Sequence, residues 1–138
     1  MKAHLVMENV MKKAIVTVPQ IYAAKGYSHV VLTGPIVWTA GIVAHDAAGQ
    51  IVGRGDIGAQ VEQVYRNVRD ALASCGLEFS DVVKITMFAT NILFRPTIME
   101  ARSKYFPTNP PASSFFVVTA LSTADQLFEM ETVAVARG

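Results

Sequence analysis

Residues 127–136 constrain the fold of this chain more than any other segment, because they place two carboxylates inside an otherwise apolar, strand-like run. Side chains alternate between the two faces of a strand, so Glu129, Glu131 and Val133 share one face. Burying even a neutral polar group without a partner costs roughly 2–7 kcal/mol. The run therefore predicts either ordinary solvent contact on this face or a pocket in which a carboxylate handles protons. On its own it leaves both readings open.

Composition limits the protein class. The chain has 138 residues, of which 51% are hydrophobic and 17% charged, which predicts one globular domain with an apolar excess that favours oligomerisation. We expect residues 1–12 to form a leader or edge segment and residues 13–138 a single domain. Twelve basic residues balance eleven acidic ones, with no basic cluster longer than two, so a nucleic-acid partner is not expected.

Cysteine usage and hydropathy predict the compartment. The single cysteine, Cys75, cannot form an internal disulfide, which suits the reducing cytoplasm. No apolar run approaches the roughly 20 residues of a membrane span, and the N-terminus lacks the apolar core of a signal peptide. We therefore expect a cytoplasmic protein without a membrane partner.

The pattern of apolar residues predicts the order of elements. From an N-cap at Asp56, apolar residues recur at helical spacing up to a stop at Gly76. A second helix is expected from Pro96 to about Tyr105, closed by Pro107. Strands are predicted at residues 13–18, 28–33, 36–43, 81–90, 113–120 and 127–136. This β-β-β-α-β-α-β-β order predicts an α+β fold, a mixed sheet with two helices on one face and a partner subunit on the other.

Several common chemistries find no support in the sequence. The histidines His4, His29 and His45 lack metal-ligand spacing, and no cysteine pair accompanies them. Residues 53–55 lack the strand–helix context of a phosphate loop, and no nucleophile elbow is present. Cys75 lies on the apolar stripe of the first helix, which favours a core role. We expect neither a metal nor a cofactor.

Residues 75–86 read C-G-L-E-F-S-D-V-V-K-I-T. This segment is similar to the G-x-x-x-x-D-V-V-K-x-T strand entry of the Rid (RidA/YjgF/UK114) family of reactive-intermediate deaminases. Residues 26–28 match its G-P-Y-S without the proline, and residues 129–131 match its E-I-E. Residues 67–72, and Y-F at 105–106 followed by P-A at 111–112, resemble further family segments. The resemblance covers the chain from about Lys13 to its end.

This resemblance implies a chorismate-mutase-like fold, assembled as a homotrimer whose sheets line a central barrel, with three sites in the clefts between subunits. It also implies a reaction, the hydrolysis of an imine to a carbonyl compound and ammonia. The family's carboxylate falls on Glu131, which would activate or position the water. Tyr27 would contact the substrate, and the backbone of residues 113–115 would help to hold the water.

Departures from the family pattern make the expected pocket less polar. Ser113 stands where an arginine would bind the substrate carboxylate, and Met99 stands where an asparagine is expected. Losing a buried bidentate contact costs about 2–5 kcal/mol. The side chains expected to contact the substrate are Tyr27, Trp38, Ala40, Ile42, Met99, Ser113, Ser114 and Phe115.

Two hypotheses follow. In the first, the protein is a hydrolytic deaminase whose enamine, imine or related C–N substrate lacks a carboxylate or is not clamped by one. In the second, it is a non-catalytic trimer that binds a small molecule or a protein. Arg95 and Arg102 are the candidates to replace the missing arginine, although a solvated position is expected for both. The role of Glu129 is left open.

Overall fold

The computed structural model describes residues 12–136, so the expected leader or edge segment lies almost wholly outside the described residues. The strands are β1 (Lys13–Val16), β2 (Val30–Thr33), β3 (Ile36–Thr39), β4 (Ile42–Val43), β5 (Val82–Ala89), β6 (Ala112–Val117) and β7 (Phe128–Val135). The helices are α1 (Ile57–Ala73) and α2 (Arg95–Tyr105), with short 3-10 turns at Phe79–Asp81 and Ile92–Phe94. The predicted β-β-β-α-β-α-β-β order is confirmed except that the strand predicted at residues 36–43 is two strands, β3 and β4.

The strands form one mixed sheet in the order β1-β2-β3-β7-β5-β6, with β4 also pairing with β7. Only the β5–β6 pair is parallel, because α2 connects these two strands; the other described pairs are antiparallel. The α+β class with a mixed sheet and two helices is therefore confirmed.

The strand predicted at residues 36–43 is interrupted at Ala40 and Gly41. The Ala40 amide donates to the His29 carbonyl at 2.8 Å, next to the last β2–β3 pair, while on the β7 side the Thr132 amide donates to the Thr39 hydroxyl. Pairing with β7 resumes at Ile42, which lies opposite Met130. This break leaves space against β7 near its start, which is where the main cavity lies.

Strand β7 has the two faces that its alternation predicts. Phe128, Met130 and Ala134 are completely buried, and the neighbouring Thr132 is 2% exposed. The Thr132 amide and hydroxyl both bond to the Thr39 hydroxyl, at 2.9 and 3.0 Å, so this buried polar group is satisfied. The other face carries the two glutamates.

The glutamate-bearing face of the sheet also exposes large apolar side chains. The strand registers place four of them on the same side as the glutamates: Ile15, Trp38, Phe116 and Val135, each at least 39% exposed. An apolar surface of this kind, spread across one sheet face, is typical of an interaction surface.

Helix α1 covers the opposite face and forms as its sequence predicts. The Asp56 carboxylate accepts a hydrogen bond from the Ala59 amide at 3.1 Å and caps the N-terminus. Val64, Tyr65 and Leu72 are completely buried in the core. The helix packs on β4, β7 and α2.

Two buried amides of α1 hold the chain on either side of the cavity. Gln60 donates to the Gly53 and Asp125 carbonyls at 3.1 and 2.8 Å and accepts from the Leu127 amide at 2.9 Å. Asn67 holds the segment after β4 in the same way, by donating to the Val43 and His45 carbonyls. A buried amide saturated in this way fixes loop backbone that no strand pairing would hold.

Replacing Gln60 with leucine leaves three backbone groups without their partner in a site that is 0% exposed. We expect the free energy of unfolding to fall by about 3 kcal/mol, measured by urea denaturation at one protein concentration. Gln63→Leu on the same helix removes a single hydrogen bond, to Asn67, and is the matched control, expected to lose about 1 kcal/mol. Equal losses in the two variants would contradict this role for Gln60.

Candidate functional site

A cavity of about 480 Å³ lies beside the start of β7, between the loops of residues 22–27, 45–49 and 122–126. This volume is within the range of small-molecule sites. Six of its lining residues carry the chemistry discussed below: Tyr22, Tyr27, Gly41, His45, Gln126 and Glu129.

Glu129 is the carboxylate of this cavity. It is half-buried on β7, opposite Val43, and lies directly against Gly41. A Cβ atom on Gly41 would lie 2.5 Å from the Glu129 Oε2 atom, so a larger residue at this position would displace the carboxylate from where it lies. Burial raises the pKa of Glu129, and the charge of Glu131 raises it further. A carboxyl with a raised pKa in a cavity is suited to proton transfer.

Two tyrosines stand beside this carboxylate. The Tyr22 hydroxyl is buried and accepts a hydrogen bond from the Val43 amide at 3.0 Å. Burial raises the pKa of Tyr27, as does the charge of Glu129, while the Tyr22 hydroxyl acts in the opposite direction. Tyr27 is 48% exposed, so its protonated hydroxyl stands at the cavity mouth, where it can donate a hydrogen bond.

Glu131 lies elsewhere, in a small depression of about 150 Å³ on the open face of the sheet. It is exposed and stands opposite Thr86 in the β5–β7 register. Trp38 and Lys84 line the same depression, and the Lys84 ammonium donates to the Ser114 hydroxyl at 2.7 Å. The structure thus groups Trp38 and Ser114 with Glu131, and it groups Tyr27 with Glu129.

The remaining predicted side chains form a third group at the β6 edge. The register places Ser113 and Phe115 opposite buried residues of β5, on the helix side of the sheet. The Arg102 guanidinium donates to the Ser113 hydroxyl at 3.0 Å, and Met99 lies one turn earlier on α2. Arg95 is exposed at the start of α2. Of the two candidate arginines, Arg102 is the one that contacts Ser113.

Two predicted residues contribute backbone instead of side chains. Ile42 is 0% exposed in the core, so its side chain has no surface to offer a ligand. Ala40 lies in the break between β3 and β4, and its amide donates to the His29 carbonyl. Ile42 is buried because β4 pairs with β7 in a register that turns the Ile42 side chain toward helix α1.

Four further residues line the cavity without having been predicted from the sequence: His45, Gln126, Tyr22 and Gly41. His45 and Tyr22 lie far from Glu129 along the chain, and no spacing rule connects them, whereas Gln126 precedes Glu129 by three residues in the segment before β7. Gly41 gave a usable signal, because an isolated glycine inside a strand pattern indicates a bulge or a close approach.

Within residues 12–136, no group of three or more histidine, cysteine or acidic side chains is arranged to hold a metal ion. Neither helix in this part of the chain has the length and apolar character needed to cross a membrane.

The fold and cavity together define a class: a small α+β domain with a half-buried carboxyl and a tyrosine at the mouth of a ligand-sized pocket. Comparison with known proteins agrees. The family model described as Endoribonuclease L-PSP matches residues 17–136. The chain therefore belongs to this family, the YjgF/RidA or Rid family.

Relatives and solved structures extend this result. The chain is 32% identical to protein DfrA of Myxococcus xanthus over 94% of its own length and 99% of that protein. It is 30% identical to the rat protein named 2-iminobutanoate/2-iminopropanoate deaminase, with 94% and 93% covered. The Rid-family protein YyfA of Yersinia pestis superimposes with a TM-score of 0.86 at 29% identity, covering 91% of this chain and all of that one. The Escherichia coli protein TdcF, solved with bound serine, gives 0.82 at 27%, with 90% and 99% covered.

The raised pKa of Glu129 predicts a pH-dependent stability effect. Below the ordinary pKa of a glutamate, both states are protonated and the group contributes nothing. Above it, the folded state holds the charge less favourably than the unfolded state, so stability falls as the pH rises toward the folded pKa. Glu129→Gln should therefore stabilise the fold at pH 7 and leave it unchanged near pH 3.5.

Urea denaturation at the two pH values measures this effect. Exposed Glu100 on α2 provides the control, since Glu100→Gln removes a charge without removing a buried carboxylate. A Glu129→Gln variant that loses stability at pH 7 would contradict the cost assigned to this carboxylate.

Proposed function

We propose that this protein is a hydrolytic deaminase of an imine or enamine and that Glu129 is its proton-transferring group. The observation that carries the proposal is the position of this carboxyl, half-buried against Gly41 and beside Tyr27 in a ligand-sized cavity. The names of relatives at about 30% identity support the reaction class.

Imine hydrolysis needs one group that first takes a proton and then returns it. Water adds to the C=N carbon: a C–O bond forms as the C=N π bond breaks, and one water proton passes to Glu129. The carboxyl returns this proton to the nitrogen, which gives a neutral carbinolamine. Glu129 then carries the carbinolamine hydroxyl proton to the nitrogen, the C–N bond breaks as the carbonyl forms, and ammonia leaves. Because burial raises the pKa of Glu129, its protonated and charged forms lie closer in free energy than in an exposed glutamate.

This proposal moves the catalytic role from Glu131, the sequence-based candidate, to Glu129. Both glutamates point to the same side of β7, two residues apart. Only Glu129 lines the large cavity that also contains Tyr27, whereas Glu131 is exposed beside Lys84. Geometry therefore favours Glu129.

The substrate class depends on what replaces the arginine that the family pattern places at Ser113. Arg102 reaches this position from α2, and among residues 12–136 it forms no ion pair within 4.0 Å. Its guanidinium remains available to an anionic group, although an exposed serine beside it gives a weaker clamp than a buried bidentate arginine. We propose a substrate that does not depend on this clamp.

We further propose that the protein is a homotrimer with sites between subunits. In one chain, the β6 edge with Ser113 and Phe115 does not line the cavity that contains Glu129. The glutamate-bearing face, with its exposed Trp38 and Phe116, supplies an apolar surface for assembly. An assembly that buries this face and brings the β6 edge of one copy to the cavity of the next would complete the site.

The activity test compares two isosteric variants on imines generated in situ, both 2-iminobutanoate and an uncharged imine. We expect Glu129→Gln to lower kcat by at least about 100-fold, the contribution typical of general acid–base catalysis. Glu131→Gln, matched in chemistry and two residues away, should retain activity within about threefold. Ammonia release measures both rates.

Each other outcome has a definite meaning. Loss of activity in Glu131→Gln alone would return the role to Glu131. No turnover of any imine by the wild-type protein would overturn the deaminase proposal and favour the non-catalytic binding module.

The shared-site proposal is tested by mixing two inactive variants. Glu129→Gln removes the carboxyl, and Ser113→Trp blocks the β6 edge. Each proposed site takes its carboxyl from one subunit and its β6 edge from the neighbour. When equal amounts of the two variants assemble at random into a cyclic trimer, about a quarter of the sites receive an intact carboxyl and an intact edge. Co-refolding should therefore restore about a quarter of the wild-type activity. Light scattering measures the oligomer. A monomer, or mixtures without recovered activity, would refute a site between subunits.

A further inference from the structure

We propose that the Nδ1–H group of His45 is a hydrogen-bond donor that orients the substrate in the cavity, by binding an oxygen acceptor adjacent to the C=N carbon. This inference rests on the proposed function for the identity of the substrate. The donor itself is argued from the contacts of His45 alone.

The tautomer of His45 follows from its contact with Gln126. The His45 Nε2 atom lies 3.3 Å from the Gln126 amide nitrogen, which can only donate. The Gln126 oxygen accepts from the Thr123 amide at 3.3 Å, and this contact assigns the two ends of the side-chain amide. His45 Nε2 must therefore accept, so the neutral ring carries its proton on Nδ1.

Buried groups on two sides hold the imidazole in place. Gln126 is 3% exposed, so the amide that sets the tautomer is sequestered from water. Asn67, also 3% exposed, donates to the carbonyls of Val43 and His45 at 3.0 and 2.9 Å and fixes the backbone. The Tyr22 ring packs on the imidazole with centroids 5.2 Å apart.

The held ring retains one unused donor. Among residues 12–136, the hydrogen bond to Gln126 is the only one that the His45 ring makes, which leaves Nδ1–H without a protein acceptor. His45 and Glu129 line the same cavity. The cavity therefore offers a proton acceptor, Glu129, together with a fixed neutral donor, His45, and this pair suits a substrate with an oxygen beside its C=N carbon.

Two kinds of oxygen satisfy this donor, a carboxylate and an uncharged carbonyl. Lys25 lines the same cavity and is exposed, so its ammonium is available to a carboxylate. Lys25→Gln should then weaken binding of 2-oxobutanoate, the product-type acid, more than binding of its amide. Equal weakening of the two would assign the uncharged carbonyl as the group that His45 binds.

The first experiment needs no turnover. Nitrogen-15 NMR of the wild-type protein should show His45 as the Nδ1–H tautomer, and titration with 2-oxobutanoate or 2-oxobutanamide should shift the Nδ1 resonance. Gln126→Leu should remove the preference for one tautomer. An Nε2–H tautomer in the wild-type protein, or an Nδ1 resonance that neither ligand moves, would overturn the inference.

The second experiment uses variants that copy one ring nitrogen each. Asparagine places an N–H near the position of Nδ1, whereas glutamine places one near Nε2. We expect His45→Gln to raise KM about tenfold with little change in kcat, the loss expected for one hydrogen bond to a ligand, and His45→Asn to stay within about threefold of wild type. Circular dichroism checks that both variants fold.

The two proposals fail in different ways. Unchanged KM in both variants, with Glu129→Gln inactive, would overturn the role of His45 and leave the deaminase intact. A wild-type protein that turns over no imine but shows the ligand-dependent Nδ1 shift would overturn the deaminase and retain His45 as a binding group.

Discussion

The pairing of β7 with strands on both sides is the constraint on which the rest of this structure depends. On one side β7 pairs with β5 at every position but Val83, where the register shifts; on the other it pairs with β3 and then, after an interruption, with β4. The interruption at Ala40 and Gly41 removes two ladder positions and opens space beside Glu129. Because Gly41 has no side chain, the carboxylate occupies that space at close range. The position of the Glu129 carboxylate and the space beside it therefore both depend on the interruption at Ala40 and Gly41.

Buried amides give the cavity its rigid walls. Loop backbone next to a sheet has no ladder partners, and unpaired buried groups are costly, so Gln60, Asn67 and Gln126 supply the missing hydrogen bonds. These three side chains reach residues that are distant in sequence. They hold the segments before β7 and after β4, which carry Gln126 and His45. Preorganised groups of this kind orient a ligand without further ordering.

The two glutamates of β7 show how position, and not residue type, decides chemical character. Their side chains point to the same side of the strand. The Glu129 side chain lies against Gly41 and is half-buried, and its pKa is raised. Glu131 lies opposite Thr86, beside Trp38 and Lys84, and stays exposed. Two carboxyl groups only two positions apart on one strand thus differ in burial, because their neighbours on the adjacent strands differ.

Local sequence determined much of this protein. Alternation in β7, the apolar stripe and cap of α1, and Pro96 at the start of α2 are properties of short segments, so they predicted the elements, their order and the mixed sheet. The motifs of residues 75–86 and 129–131 predicted the family. Only the tertiary structure decided which strand lies beside which glutamate, that Ile42 turns into the core, and that Arg102 reaches Ser113. It also brought His45 to Gln126 across 81 residues. The physical reason is that depth, pKa and hydrogen-bond partners depend on contacts between distant segments, whereas alternation and capping depend on neighbours along the chain.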